Sequence, residues 1–178
     1  MMKKTFSIIT GMLLILCMTS NLSHAQLNPL KRFSIGPFVE AGIPIGDLSD
    51  THNTGFGAGL GADVKLIGGL AVTGSVSYMR FGGKEIDVAG IGTTKIDALQ
   101  AVPVRVGLRY KFPIPLLYVK VESGAANYIG DGADGSAVIF SPGIGIRILG
   151  FDFQAKYEGW YKSEQNVKFW GLKAGWNF

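Results

Sequence analysis

The sequence predicts an all-β protein, an eight-stranded antiparallel up-and-down transmembrane β-barrel. Three observations predict it. Eight segments alternate bulky apolar residues with small or polar ones, the period of an extended strand whose successive side chains point to opposite faces. The connections between these segments alternate between tight and long. The composition, with 26 glycines and only 17% charged residues in 178, is richer in glycine and poorer in charge than that of average soluble proteins. Beyond residue 25 no uninterrupted apolar run reaches 18 residues, so no transmembrane helix is expected and a membrane structure would have to be built from strands.

Residues 1–25 read as a cleaved signal peptide and 26–178 as the barrel domain. Lys3 and Lys4 form a positive n-region, "FSIITGMLLILCM" is apolar but short for a bilayer span, and "SHA" offers small residues to a signal peptidase. Cys17 raises the alternative of a lipoprotein site, although Leu16 before it is larger than the residues such sites carry. Cleavage after Ala25 removes the only cysteine, so the mature chain can form no disulfide. Loss of Lys3 and Lys4 halves the excess of basic over acidic residues, and no basic run remains. Nucleic acid is therefore not an expected partner.

The strand patterns follow in order. Phe33 to Ile43 opens the series, followed by Phe56–Leu66 and Leu70–Tyr78. Val102–Phe112, Leu117–Glu122, Val138–Ile148 and Phe151–Tyr161 continue it. The terminal "KFWGLKAGWNF" ends it with Trp170, Leu172, Ala174, Trp176 and Phe178 on one parity. "IGG", "PIP" and Gly150 make tight turns. "PIGDLSDTHNTG", "GGKEIDVAGIGTT", "NYIGDGADGS" and the shorter "KSEQN" make the other set of connections. Short turns at one end and long loops at the other, with an even strand number, is the arrangement of a membrane barrel. Pro37, Pro103 and Pro142 each remove a ladder donor inside a strand pattern; bulges or strand ends near the rim would absorb them.

Residue types decide which face looks outward. A soluble barrel would keep apolar side chains inside and display lysine and glutamate outside. Here the polar parity holds glycine, small hydroxyls and charges of both signs: Glu40, Asp63, Glu122, Asp152 and Glu158 against Lys65, Arg105, Arg109, Lys120, Arg147, Lys156 and Lys173. A narrow interior needs small residues and charges that can pair. These twelve are the expected lumen charges. The apolar parity carries Val, Ile, Leu and Phe mid-strand and aromatics at many ends, as a lipid-facing band with two girdles does. Closure is expected because an unpaired N–H or C=O in hydrocarbon costs several kcal/mol.

Through the signal, "GFGAGLGADV", "VPVRVGLRYKF", "SPGIGIRI" and the terminal "WNF", the chain resembles the small eight-stranded outer-membrane β-barrel domain family of Gram-negative bacteria, of the OmpA and OmpX type. The resemblance covers the mature chain. It implies residence in the outer membrane as a monomer, contact with outer-membrane lipid, and recognition by the barrel-assembly machinery through Trp176 and Phe178. It leaves the external partner of the loops unknown.

No residue is nominated as catalytic, and no cofactor or metal site is expected. "GAGLGA" matches a dinucleotide fingerprint only formally, since its glycines lie mid-strand rather than before a helix. "GDGADGS" lacks the ligand spacing of a calcium loop. His52 is the only histidine beyond the signal, and no serine accompanies it on a strand, so an outer-leaflet lipid-modifying enzyme ranks third. The expected role is structural or surface-interactive. The alternative is a narrow channel for small solutes, which an eight-stranded barrel filled by its own side chains disfavours.

Overall fold

The fold, taken from a computed structural model, covers residues 32–88, 92–114, 116–130, 135–163 and 166–178. The expected signal peptide, residues 1–25, and the acidic pair Asp131 and Asp134 lie outside the described residues. The elements are β1 (Phe33–Ile45), α1 (Asp47–Thr51), β2 (His52–Lys65), β3 (Leu70–Gly83), β4 (Glu85–Val88), β5 (Gly92–Lys95), β6 (Leu99–Lys111), β7 (Leu117–Ile129), β8 (Ser136–Ile148), β9 (Phe151–Tyr161) and β10 (Asn166–Trp176). Eight of the strands close into one antiparallel barrel in the order β1-β10-β9-β8-β7-β6-β3-β2. Among the described residues no helix is long and apolar enough to cross a membrane.

Alternation sets the two faces. In β1 Phe33, Ile35, Pro37 and Val39 are exposed while Ser34, Gly36, Phe38 and Glu40 are buried. The same division runs round the barrel: Leu60, Val106 and Leu172 are each more than half exposed, whereas Asp63, Arg105 and Gly171 are buried. A surface of Val, Ile, Leu and Phe with a charged interior reverses the arrangement of a soluble protein, and it is the arrangement of a transmembrane barrel. Outward aromatics pair across β9 and β10. Tyr157 meets Trp170 at 5.5 Å, and Phe151 meets Trp176 at 4.3 Å, both edge to face.

The strands outrun their sequence patterns on the long-loop side. β3 continues past Tyr78 because Met79 and Phe81 pair with Ala101 and Leu99, and β7 continues past Glu122 to Ile129. "GGKEIDVAGIGTT", expected as a loop, holds the two-stranded sheet β4-β5, with Glu85 opposite Lys95. "PIGDLSDTHNTG" holds α1. At the other end Leu149 (φ 50°) and Gly150 (φ 92°) connect β8 to β9, both left-handed as a two-residue hairpin turn of type I′ requires.

The prolines are accommodated without bulges. In an antiparallel ladder the N–H and C=O of one residue point to the same neighbour, so each proline disturbs one side only. At Pro103 the β3–β6 ladder skips from Val76↔Val104 to Met79↔Ala101, and at Pro142 the β8–β9 ladder skips from Phe140↔Gly159 to Gly143↔Lys156. The register is identical on either side of both gaps. Pro37 sits just past the last β1–β10 pair, Phe38↔Gly175, while Phe178 N–H still reaches the Ile35 carbonyl at 2.9 Å. Toward the other neighbour each proline keeps its partner: Leu60, Ala126 and Val121 respectively. The one register shift in the barrel ladders of β2 lies between His52 and Gly55, at the long-loop rim.

Candidate functional site

The lumen falls into three layers. Beneath the long loops it is apolar. Met79, Phe81, Ile139, Trp160, Val167 and Phe169 all take the inward parity and are at most 6% exposed, and Leu48 of α1 joins them from the loop. Trp160 and Phe169 meet edge to face at 5.5 Å, and Phe81 meets Phe169 at 5.2 Å. Gly42 lets the rings approach: a Cβ there would lie 3.0 Å from both Phe81 and Phe169. A polar interior was the expectation for this face. It fails here because parity tells which side a residue takes, and burial under the loops makes that side a hydrophobic core.

The middle layer is an ion-pair network. Arg105 on β6 donates to Glu158 on β9 at 2.7 Å and lies 3.3 Å from Glu40 on β1; Lys156 reaches both Glu40 and Glu158 at 2.7 Å. Ser77 Oγ donates to Glu40 at 2.7 Å and accepts from Arg105 at 3.0 Å, while Trp160 Nε1 donates to Glu158 at 2.7 Å. The four charged side chains are at most 1% exposed. Two cations and two anions cancel, and the carboxylates are further held by hydroxyl and indole donors. That satisfies the condition under which a buried ion pair is tolerated. Lys120 Nζ forms an ion pair with Glu122 on the same strand at 2.8 Å.

The third layer opens toward the short turns. Arg109 and Arg147 converge on Asp63 at 2.5 and 2.7 Å. Arg147 also holds Asp152, whose second oxygen accepts from Tyr118 at 2.5 Å. Around these lies a cavity of about 430 Å³ with Lys65, Lys111 and Asn177 in its wall. Lys65 is exposed at this mouth rather than enclosed, and Lys173 sits deeper with its Nζ 3.4 Å from the centre of the Phe38 ring.

Of the twelve expected lumen charges, the structure thus brings Glu40, Arg105, Lys156 and Glu158 together at mid-barrel. It gathers Asp63, Arg109, Arg147 and Asp152 at the short-turn end and pairs Lys120 with Glu122. Trp176 and Phe178 stand on the outer face at the β1–β10 seam, with ring centres 6.2 Å apart. His52 lies at the long-loop rim, its Nδ1 2.8 Å from the hydroxyl of neighbouring Thr51. That hydroxyl also lies within reach of the Asp47 and Leu48 carbonyls of α1, as a helix-ending threonine does. Among the described residues no group of three His, Cys, Asp or Glu side chains could hold a metal ion.

Fold and lumen together define a closed eight-stranded barrel of the transmembrane class with an occupied interior. No family model matches the sequence, and no curated protein matches it. Solved structures do. The chain is similar to Ail, the attachment invasion locus protein of Yersinia pestis, with 20% identity and a TM-score of 0.50 over 83% of this chain and 97% of that one. It is similar to the N-terminal β-barrel domain of Pseudomonas aeruginosa OprF, with 15% identity and a TM-score of 0.53 over 82% and 97%. It also resembles a de novo designed transmembrane β-barrel, with 13% identity and a TM-score of 0.50 over 82% and 95%. At these identities the likeness is one of fold: a small eight-stranded outer-membrane β-barrel.

Proposed function

We propose that the chain is exported, loses residues 1–25, and resides as a monomer in the outer membrane, where its role is structural or surface-interactive. The short turns, the start of β1 and the end of β10 lie on the periplasmic side, and α1, the β4-β5 sheet and the other long connections face outward. Outer-membrane lipid covers the apolar band, and the barrel-assembly machinery reads Trp176 and Phe178 during insertion. The loops carry the interaction; the barrel holds them.

The observation that carries this reading is the filled lumen beneath an apolar outer face. An aromatic layer and a neutral ion-pair layer lie in series across the bore, so an ion would have to displace two close-packed strata to pass. A narrow channel is accordingly the weaker alternative. An outer-leaflet enzyme is weaker still, because the histidine at the rim is engaged by an adjacent threonine already within reach of helix carbonyls.

Outer-membrane fractionation with heat-modifiable migration on a gel tests the placement, and recovery as a soluble periplasmic protein would end it. Planar-bilayer recording tests the closed bore: a flat trace is expected, and discrete steps would establish the channel.

A further inference from the structure

Below the ion-pair layer the lumen holds a second, smaller cavity of about 30 Å³. A water molecule needs about 10–15 Å³ by this kind of measure, so the space suits two waters or one small ion. Its charged and amide wall is Lys120, Lys173, Arg147, Gln154, Asn177, Asp63 and Asp152. The two carboxylates are already taken, Asp63 by Arg109 and Arg147, Asp152 by Arg147 and Tyr118. Two of the donors are not. Gln154 is 4% exposed and its Nε2 has no hydrogen-bond partner among the described residues. Lys173 forms no ion pair with a described residue; what its ammonium meets is the face of Phe38, which lines the same cavity.

Charge counting points the same way. The enclosed lumen cations are Arg105, Arg109, Lys120, Arg147, Lys156 and Lys173, and the anions are Glu40, Asp63, Glu122, Asp152 and Glu158. One positive charge is left over, because Lys120 and Lys173 face the single carboxylate of Glu122. A buried charge without a counter-charge is costly, whereas an anion placed among an ammonium, a second ammonium and an amide N–H would neutralise it and satisfy the orphaned donor. The wider cavity at the short-turn mouth, with Lys65, Lys111, Arg109 and Arg147 in its wall, shares Arg147 and Asn177 with the small one and offers an approach of the right sign. Toward the long loops the ion-pair and aromatic layers shut the path, so the site is a dead end rather than part of a conduit.

We infer that the barrel binds a single monovalent anion of halide size between Lys120, Lys173 and the Gln154 amide, admitted from the short-turn mouth.

The test uses the refolded full barrel in detergent. A ligand that binds only the folded state raises its stability, so the urea midpoint should be higher in sodium chloride than in sodium gluconate at equal ionic strength, and bromide should replace chloride. Lys173→Met should abolish the difference, while Lys168→Gln on the outer face of β10 should keep it. Coincident wild-type midpoints, or a difference that survives Lys173→Met, would overturn the site. If Lys173→Met does not fold, crystals of the wild type grown in bromide decide it. An anomalous peak within hydrogen-bond reach of Lys173 Nζ and Gln154 Nε2 upholds the site, and its absence overturns it. Either result leaves the membrane placement untouched, because fractionation reads that independently.

Discussion

Arg105 and Glu158 stand on opposite sides of the bore, on β6 and β9, and meet at 2.7 Å with neither side chain more than 1% exposed. Removing one partner strands the other. Breaking a buried pair in this way costs about 3–5 kcal/mol, so Arg105→Met should lower the unfolding free energy by that order in urea titrations followed by tryptophan fluorescence. Arg105→Met with Glu158→Gln should cost clearly less than the two single losses added together, because the double variant leaves no lone charge from this pair. Additive losses would show that the two residues act independently.

Phe81 sits between Trp160 and Phe169 in the aromatic layer, fully buried. Truncating a buried phenylalanine to alanine costs about 3–5 kcal/mol. Phe81→Ala should therefore unfold earlier, yet its planar-bilayer trace should stay flat, since the layer of Glu40, Arg105, Lys156 and Glu158 still crosses the bore. Conductance steps in this variant would place the barrier in the aromatic layer alone.

Leu60 lies mid-strand on the outer face, opposite Pro37 and Val76, whereas Val138 lies near the long-loop end of β8. An arginine at the bilayer midplane costs about 2–4 kcal/mol and near an interface about 0–1. Leu60→Arg should thus weaken folding into lipid vesicles much more than Val138→Arg, read from equilibrium titrations in the same lipid. Equal costs would contradict the depth assigned to β2.

Leu149 holds φ 50° beside Gly150 at the tight turn and is almost wholly exposed. A branched side chain is strained in the left-handed region, and asparagine before glycine is the preferred pair for this turn. Leu149→Asn should raise stability by about 1 kcal/mol in urea titrations, and a loss of that size would mean that the leucine side chain contributes more than its backbone strain.

Much of this architecture is legible in the sequence because a strand's two faces are written as alternate letters. Leu60 and Val106 fall outside and Asp63 and Arg105 inside by parity alone. The tight turns also show, since Leu149 and Gly150 alone separate one strand pattern from the next. What stays hidden depends on depth along the bore. Phe81, Trp160 and Phe169 share the inward parity with Arg105, and nothing local distinguishes a position under the loops from one amid the charges. The β4-β5 sheet is hidden for another reason: Glu85 to Val88 alternates over only four residues, and its partner Gly92–Lys95 carries no bulky apolar residue. The partners within the lumen, such as Arg105 with Glu158, depend on barrel closure between residues far apart in the chain, which no nearby spacing encodes.

The junction of β1 with β10, where Phe38–Ile45 runs beside Lys168–Gly175, joins the first strand to the last. A hoop has no stable arc. Until those two strands meet, the sheet has raw margins on both sides and Glu40 lacks the Lys156 that awaits it on β9, so a partly assembled form gains little from the contacts already made. Insertion is therefore expected to be all or nothing, with the decisive event at the one join where sequence neighbours offer no help.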